Sequence, residues 1–320
     1  MKKGLLIMLM AAVLIGSAAC SAGASSRKSG DGSGISDSNT DSDNHSKSDS
    51  EKATEAGEDD GTESKETQII NEAGDTLSER IRVPEGYFRT EEKADSLAEF
   101  IRSYKLKPAG SPVLLYDGSS KGNQSDHVAV FELPIEDYDL QQCADSVMRF
   151  YAEYFWNTKQ YDKIAFHFTN GFLAEYSKWR EGYRISVSGN DVAWTKKASY
   201  DDSYECFVTY MKSVFTYAGT LSMETEAAQI ELDDIRVGDV FLYGASRGHV
   251  VMIVDVCENE AGKKAFLLGQ GYMPAQEFHL LKNNLHDDDP WYYEDEVTYP
   301  FRTPEYTFKD GSLKRLSYLD

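Results

Sequence analysis

Between residues 138 and 156 the apolar side chains Leu140, Cys143, Ala144, Val147, Met148, Tyr151 and Phe155 recur three or four positions apart. That period places them on one face of a helix, with Asp139 as its expected N-cap. A second amphipathic helix is expected over 201–219. Tyr204, Phe207, Val208, Met211 and Phe215 form its stripe, Asp202 or Ser203 opens it, Glu205 stands in capping-box position to Asp202, and Gly219 suits its C-cap. Residues 91–104 carry Leu97, Phe100 and Ile101 at helical spacing and predict a third. Strand patterns lie between and after these helices. Residues 80–89 alternate briefly before a Pro-Glu-Gly turn. The runs "SPVLLYDG" and "HVAVFEL" read as a hairpin across "DGSSKGNQSD", and 163–169 and 183–194 read as further strands. Two longer apolar runs, within "GDVFLYGASRGHVVMIVDV" (238–256), surround a Gly-rich turn. The second run and "KKAFLLGQ" (263–270) predict a hairpin turning near Glu260. Helices followed by an antiparallel sheet packed against them make the class α+β.

This pattern starts only near residue 76, and composition explains why. Residues 21–75 are Ser, Gly, Asp, Glu and Lys with almost nothing apolar before "TQII". Such a segment buries too little surface to offset its ordering entropy, so it is expected to be a disordered tether. Ahead of it, Lys2 and Lys3 precede an apolar run over 4–15 and the small residues "GSAAC", the layout of an export signal. The segment 1–20 resembles a bacterial lipoprotein signal, in which Cys20 becomes the lipid-bearing first residue; Ser17 stands where that signal usually has Leu. Cleavage near "AGA" at 22–24 is the other option, and it would leave a secreted protein. The lipoprotein resemblance implies an extracytoplasmic domain, residues 76–320, held to a bacterial membrane through lipid on Cys20. With 54 acidic against 33 basic residues, the chain's field repels nucleic acid and anionic wall polymers, so neither is an expected partner.

The chemistry-bearing residues are few. Antiparallel pairing about Glu260 places Gln270 opposite, or within two residues of, His249 at the start of its strand. A side-chain amide beside a histidine accepts from one ring nitrogen, fixes the tautomer and leaves the other nitrogen as a base. The plainer reading is a strand-end histidine with an ordinary hydrogen bond. Cys143, Cys206 and Cys257 are an odd number at wide spacing, which fits neither a disulfide framework nor zinc ligation. Cys206 is near a helix N-terminus, where a thiolate is favoured, and faces away from the apolar stripe. Cys143 is also near a helix start and precedes His249 in papain-like order, yet its place in the stripe equally suits a core thiol. Gln142, Asp145 and Arg149 share the helix's polar face, with Asp145 and Arg149 an i, i+4 pair. They read either as a solvated ion pair or as a binding surface. "LHDDDP" (285–290) reads as a solvated acidic turn rather than a cation site, and the aromatic C-terminal segment as a packing belt rather than a sugar-stacking surface. The pattern calls for no metal and no cofactor.

Two family resemblances add to this. The helix ending in "YAG", then "VGDVFLYG" and "GHVVMIVDV", resemble the catalytic half of NlpC/P60 cell-wall peptidases over 203–270. That resemblance implies an NlpC/P60-like or papain-like core with His249 as base and Gln270 orienting it. Tyr204 stands where the family has its cysteine, and Cys206 falls two residues later. The motifs "YDLQQCADSVMRFYAEY", "FTYAGTLSM" and "YMPAQEFHLLKN" together resemble the domain of unknown function 4846, from about Ile81 to Phe301. That likeness implies motif positions at Gln142, Cys143, Asp145, Arg149, His249, Gln276 and His279. The expectation is therefore a cysteine hydrolase or transferase acting on a cell-envelope amide or ester, with His249, Gln270 and either Cys143 or Cys206 catalytic. Gln142, Asp145, Arg149, Gln276 and His279 would bind the substrate. The competing expectation is an envelope ligand-binding or assembly module with no covalent step.

Overall fold

The computed structural model describes residues 68–319. The expected signal segment, Cys20 and the tether as far as residue 67 lie outside the described residues. Residues 68–75, expected to end the tether, already belong to the fold. Ile70 bridges to Ile81, the Asn71 N–H donates to the Arg80 carbonyl at 2.7 Å, and Gly74 is buried.

The helices are α1 (Leu77–Arg80), α2 (Leu97–Arg102), α3 (Cys143–Asn157), α4 (Tyr176–Arg180), α5 (Tyr204–Tyr217) and α6 (Thr220–Thr225). The strands are β1 (Tyr87–Arg89), β2 (His127–Val130), β3 (Ala165–His167), β4 (Leu173–Glu175), β5 (Tyr183–Ser188), β6 (Asp191–Lys196), β7 (Ala227–Gln229) and β8 (Val240–Tyr243). They continue with β9 (His249–Asn259), β10 (Lys264–Gln270), β11 (His279–Leu281), β12 (Tyr292–Tyr293), β13 (Phe301–Arg302), β14 (Thr307–Phe308) and β15 (Leu313–Leu316). Nine strands form one antiparallel sheet in the order β2-β11-β10-β9-β8-β15-β7, with β1 joined to β9 and β12 to β10. β3–β4, β5–β6 and β13–β14 are separate hairpins. The class is α+β, as the pattern predicts.

β9 and β10 explain their own position. Nearly every residue of both is buried, so neither face of this part of the sheet meets water. That is why their sequences read as continuous apolar runs instead of alternating. α2 and α3 pack on β9. The C-terminal aromatics pack on neighbouring residues of the sheet: Phe301 stacks on Phe241 with ring centroids 4.4 Å apart, Phe266 stacks on Tyr292, and Trp291 is fully buried. The expected packing belt is thus present. One buried carboxylate interrupts the apolar strand, Asp255, and two guanidinium groups answer it. Arg102 Nε donates to Oδ1 and Arg89 Nε to Oδ2, each at 2.7 Å, joining α2 and β1 to the sheet.

Several local expectations shift. Gln142 caps α3, not Asp139, whose Oδ1 accepts instead from the Ala275 N–H at 2.7 Å. Ser203 caps α5 by accepting from the Cys206 N–H, so Glu205 is not in box position. α5 ends at Tyr217 with Ala218 as its C-cap, and Gly219 is instead the N-cap of α6. The run at 112–116 does not pair with β2. Leu115 bridges to Gln276 and Leu114 to Ser120, while β2 pairs with β11. Local pattern identified these extended segments, and long-range packing chose their partners.

Candidate active site at the N-terminus of α3

Cys143 is the first residue of α3, where the chain turns from an extended Gln142 into the helix. The Gln142 N–H donates to Asp145 Oδ2 at 3.1 Å, which ties down the first turn. Two glycines permit the close approaches around this site, one at this helix end and one at the turn before β9. A Cβ on Gly271, just after β10, would lie 2.4 Å from Ser146 Oγ and 3.1 Å from the Gln142 carbonyl oxygen. A Cβ on Gly248, just before β9, would lie 2.1 Å from the Tyr243 carbonyl oxygen and 2.5 Å from Thr220 Oγ1. The turn between β8 and β9 therefore folds tightly against α6, with Thr220 Oγ1 donating to the Ala245 carbonyl at 3.0 Å.

These constraints leave a cavity of about 300 Å³. Gln142, Cys143 and Asp145 line it from α3, Thr216 and Phe215 from the end of α5, Thr220 and Leu221 from α6, and Ser246 and Gly248 from the turn before β9. Asp139 and Met273 complete the rim, and Leu221 and Met273 are exposed there. Within this cavity the Cys143 residue is only 8 % exposed. Burial, with Asp145 beside it, pushes the thiol up to about 11 against the backbone N–H groups of Ala144 and Val250, which pull it down. Val250 immediately follows His249, so the thiol lies beside the first residues of β9.

His249 itself is buried between aromatic rings, with Tyr272 and Tyr306 centroids each 4.8 Å away. Its Nε2 is 2.8 Å from Gln270 Oε1. An amide oxygen only accepts, so Nε2 carries the proton and Nδ1 keeps the lone pair. Burial pushes the imidazole down to about 4, although the Gln270 hydrogen bond and the Glu305 charge favour the cation. The ring is neutral at pH 7. Among the described residues no hydrogen bond links the thiol to the imidazole. The register of β9 and β10 includes a bulge, pairs Gly269 with Met252, and so brings Gln270 diagonally across to His249. The expected histidine–amide pair is present.

The other expected site residues divide. Gln142 and Asp145 line the cavity with Cys143. Asp145 Oδ1 is buried without a partner, and burial pushes its carboxyl up to about 8 despite the Gln142 N–H. Arg149 does not pair with Asp145 and does not reach the cavity. It is fully buried, bound to Glu153 at 2.7 Å, Glu136 at 3.2 Å and Tyr204 Oη at 3.0 Å. The face that read as solvated is covered because α3 runs through the centre of the fold, with α2 and α5 over it. Gln276 is buried at its bridge to Leu115, outside the cavity lining. His279 pairs with Gln270 across β10 and β11, behind His249 rather than in the cavity. Cys206 is buried near the start of α5, nine residues before the Phe215 that borders the cavity, or about 13 Å along the helix. Burial raises its thiol. Cys257 is buried within β9. Of the cysteines among the described residues, only Cys143 meets both the cavity and the start of β9.

Two residues that the sequence reading passed over stand behind the pair. Glu305, in the turn between β13 and β14, accepts from Gln270 Nε2 at 2.6 Å and from Lys121 Nζ at 2.5 Å. Burial alone would raise its carboxyl, but His279 and Lys121 outweigh that and bring it down to about 2. Neither residue stands in a periodic pattern or beside a motif, so spacing gave no signal for either. Among the described residues, no group of three or more His, Cys, Asp or Glu is placed to hold a metal ion. No described helix is long and apolar enough to cross a membrane.

No curated protein and no solved structure gives a significant match to this chain. Residues 77–315 match the family described as domain of unknown function 4846, and the chain belongs to that family.

Proposed function

We propose that the domain is an NlpC/P60-like or papain-like cysteine acyl hydrolase or transferase. In this reading it acts on an amide or ester of the cell envelope, outside the cell, and is held to a bacterial membrane by lipid on Cys20. The observation that carries the reading is the juxtaposition at the end of α3. A helix-opening cysteine lines a cavity, its sulfur lies beside the Val250 N–H, and the adjoining His249 has its tautomer set by Gln270. Cys143 takes the nucleophile's role here, in preference to Cys206.

The resting pair is a thiol and a neutral imidazole, so proton transfer accompanies attack and no ion pair precedes it. His249 Nδ1 takes the Cys143 proton as sulfur bonds to the carbonyl carbon. The oxyanion forms near the first-turn N–H groups of α3, which have no partner within the helix. His249 then gives the proton to the leaving nitrogen or oxygen, and a thioester remains. Water, deprotonated by His249, hydrolyses it and restores the thiol; an amine acceptor in place of water makes the same reaction a transfer.

A second reading is ligand binding without a covalent step. It is favoured by the small exposure of Cys143 and by the lack of a hydrogen bond from its thiol to the imidazole. Incubation with p-nitrophenyl acetate, an acid quench and peptide mapping separates the two. The hydrolase reading expects an acetyl group on Cys143, lost in Cys143→Ala and formed roughly 100-fold more slowly in His249→Ala. A chain that carries no acetyl on Cys143, or acquires it at the same rate without His249, is a binding module.

A further inference from the structure

Behind His249 the hydrogen bonds continue across three neighbouring strands and into the C-terminal hairpin. Gln270 lies on β10 with its register partner His279 on β11. Its oxygen faces His249, and its nitrogen faces Glu305 Oε2 at 2.6 Å and His279 Nε2 at 3.4 Å. His279 Nδ1 is 2.9 Å from the Glu277 carbonyl oxygen, which only accepts, so that nitrogen is the protonated one. His279 Nε2 also lies 3.6 Å from Glu305 Oε2. The Glu305 carboxylate only accepts, so it calls for an N–H group from Gln270. Lys121, nearly buried, neutralises Glu305 and competes for none of the amide's atoms. The hairpin that carries Glu305 is closed by the Thr303 N–H donating to the Tyr306 carbonyl at 2.9 Å, and the same turn sets the Tyr306 ring against His249.

We infer that Glu305 is a positioning residue. Its carboxylate, held by Lys121, locks the Gln270 amide with its oxygen toward His249 and so keeps the imidazole in the Nε2–H tautomer. An uncharged partner at 305 lacks this selectivity, because an amide there donates as readily as it accepts. A flipped Gln270 would present N–H to His249 Nε2, drive the proton to Nδ1 and remove the base that the thiol requires. The geometry stands without the hydrolase reading; its catalytic consequence rests on that reading.

The test is long-range ¹H–¹⁵N correlation of the imidazole nitrogens in the ¹⁵N-labelled full chain at pH 7, with His249 assigned by its loss in His249→Gln. The wild-type chain is expected to show the Nε2–H pattern. In Glu305→Gln, which keeps the side chain's size, the ratio of Nε2–H to Nδ1–H is expected to fall roughly tenfold, the difference between a charged and a neutral hydrogen-bond partner. The acetylation rate at Cys143 should fall by the same factor with KM unchanged, a split that general loosening of the fold would not give. Lys121→Met leaves every Gln270 hydrogen bond in place and provides a second variant, expected to shift the ratio the same way by a smaller factor. An unchanged tautomer in folded Glu305→Gln overturns the inference, and if that chain does not fold, an unchanged tautomer in Lys121→Met does so. A shifted tautomer in a chain that never acetylates Cys143 keeps the positioning role and rejects the hydrolase. Acetylation that depends on His249, with an unmoved tautomer, does the reverse.

Discussion

Burial keeps Asp145 and His249 neutral at pH 7, and the two respond to pH with opposite sign. The Asp145 carboxyl, pushed up to about 8 by burial, holds a proton that the unfolded chain releases near the usual carboxylate value. Its contribution to stability is complete in acid and is lost as pH rises from about 4 toward 8. The first turn of α3 favours the anion, but burial outweighs it. The His249 imidazole, pushed down to about 4, refuses a proton that the unfolded chain binds near 6.5. Its contribution is complete above that value and is lost as pH falls toward 4. Between about pH 4.5 and 6.5 the two slopes oppose each other at about 1.4 kcal/mol per pH unit each. Urea denaturation should therefore show Asp145→Asn gaining stability relative to the wild type as pH rises across this window, by about 3 kcal/mol in total. His249→Gln should lose a similar amount over the same rise. Equal pH slopes in both variants and the wild type would mean that neither group is buried as described. Of these residues, the His249–Gln270 pair was legible in the sequence, because a hairpin's symmetry about its turn fixes which residues meet. Glu305 and Lys121 were not, since each stands alone in an irregular segment and meets the site only through chain reversals.

At the scale of elements, the helices were the most readable parts. The stripe from Cys143 to Phe155 is buried as its spacing required. Its opposite face misled, because a 3.6-residue period shows which side must be apolar but not whether the polar side meets water. α3 is covered all round, and Arg149 with its two glutamates supplies the polar contacts that burial demands. The close approach of α3 to β10 depends on Gly271, whose backbone needs no unusual dihedral; only the lack of a side chain matters there. Gly271→Ala places a methyl group against Ser146 and the Gln142 carbonyl. We expect it to cost about 1–3 kcal/mol in chemical denaturation and to slow acetylation of Cys143 by shifting the helix start. Ser146→Ala in the same chain should recover part of the stability. If Gly271→Ala is neutral, the contact is looser than described.

For the whole molecule, the nine-stranded sheet determines where chemistry can occur. Its central strands are covered on both faces, and the cavity that Cys143 lines lies where α3, α5, α6 and the turn before β9 converge. The C-terminal half of β9 is tied by Asp255, which holds β1 through Arg89 and α2 through Arg102. Asp255→Asn leaves two guanidinium groups without their counter-charge, one of them almost fully buried. It should cost about 3–5 kcal/mol in urea denaturation while leaving the Nε2–H tautomer of His249 unchanged. A loss below 1 kcal/mol would show that water replaces the carboxylate. Sequence alone determined the α+β class, the main helices, the hairpin that pairs His249 with Gln270 and the apolar character of β9. Each of these follows from local period or short-range chain reversal. Tertiary structure decided that Cys143 and not Cys206 meets the start of β9, that Arg149 and His279 lie behind the site rather than in it, and that Glu305 stands behind Gln270. These depend on how far a helix end lies from a distant strand, and no spacing along the chain encodes that distance.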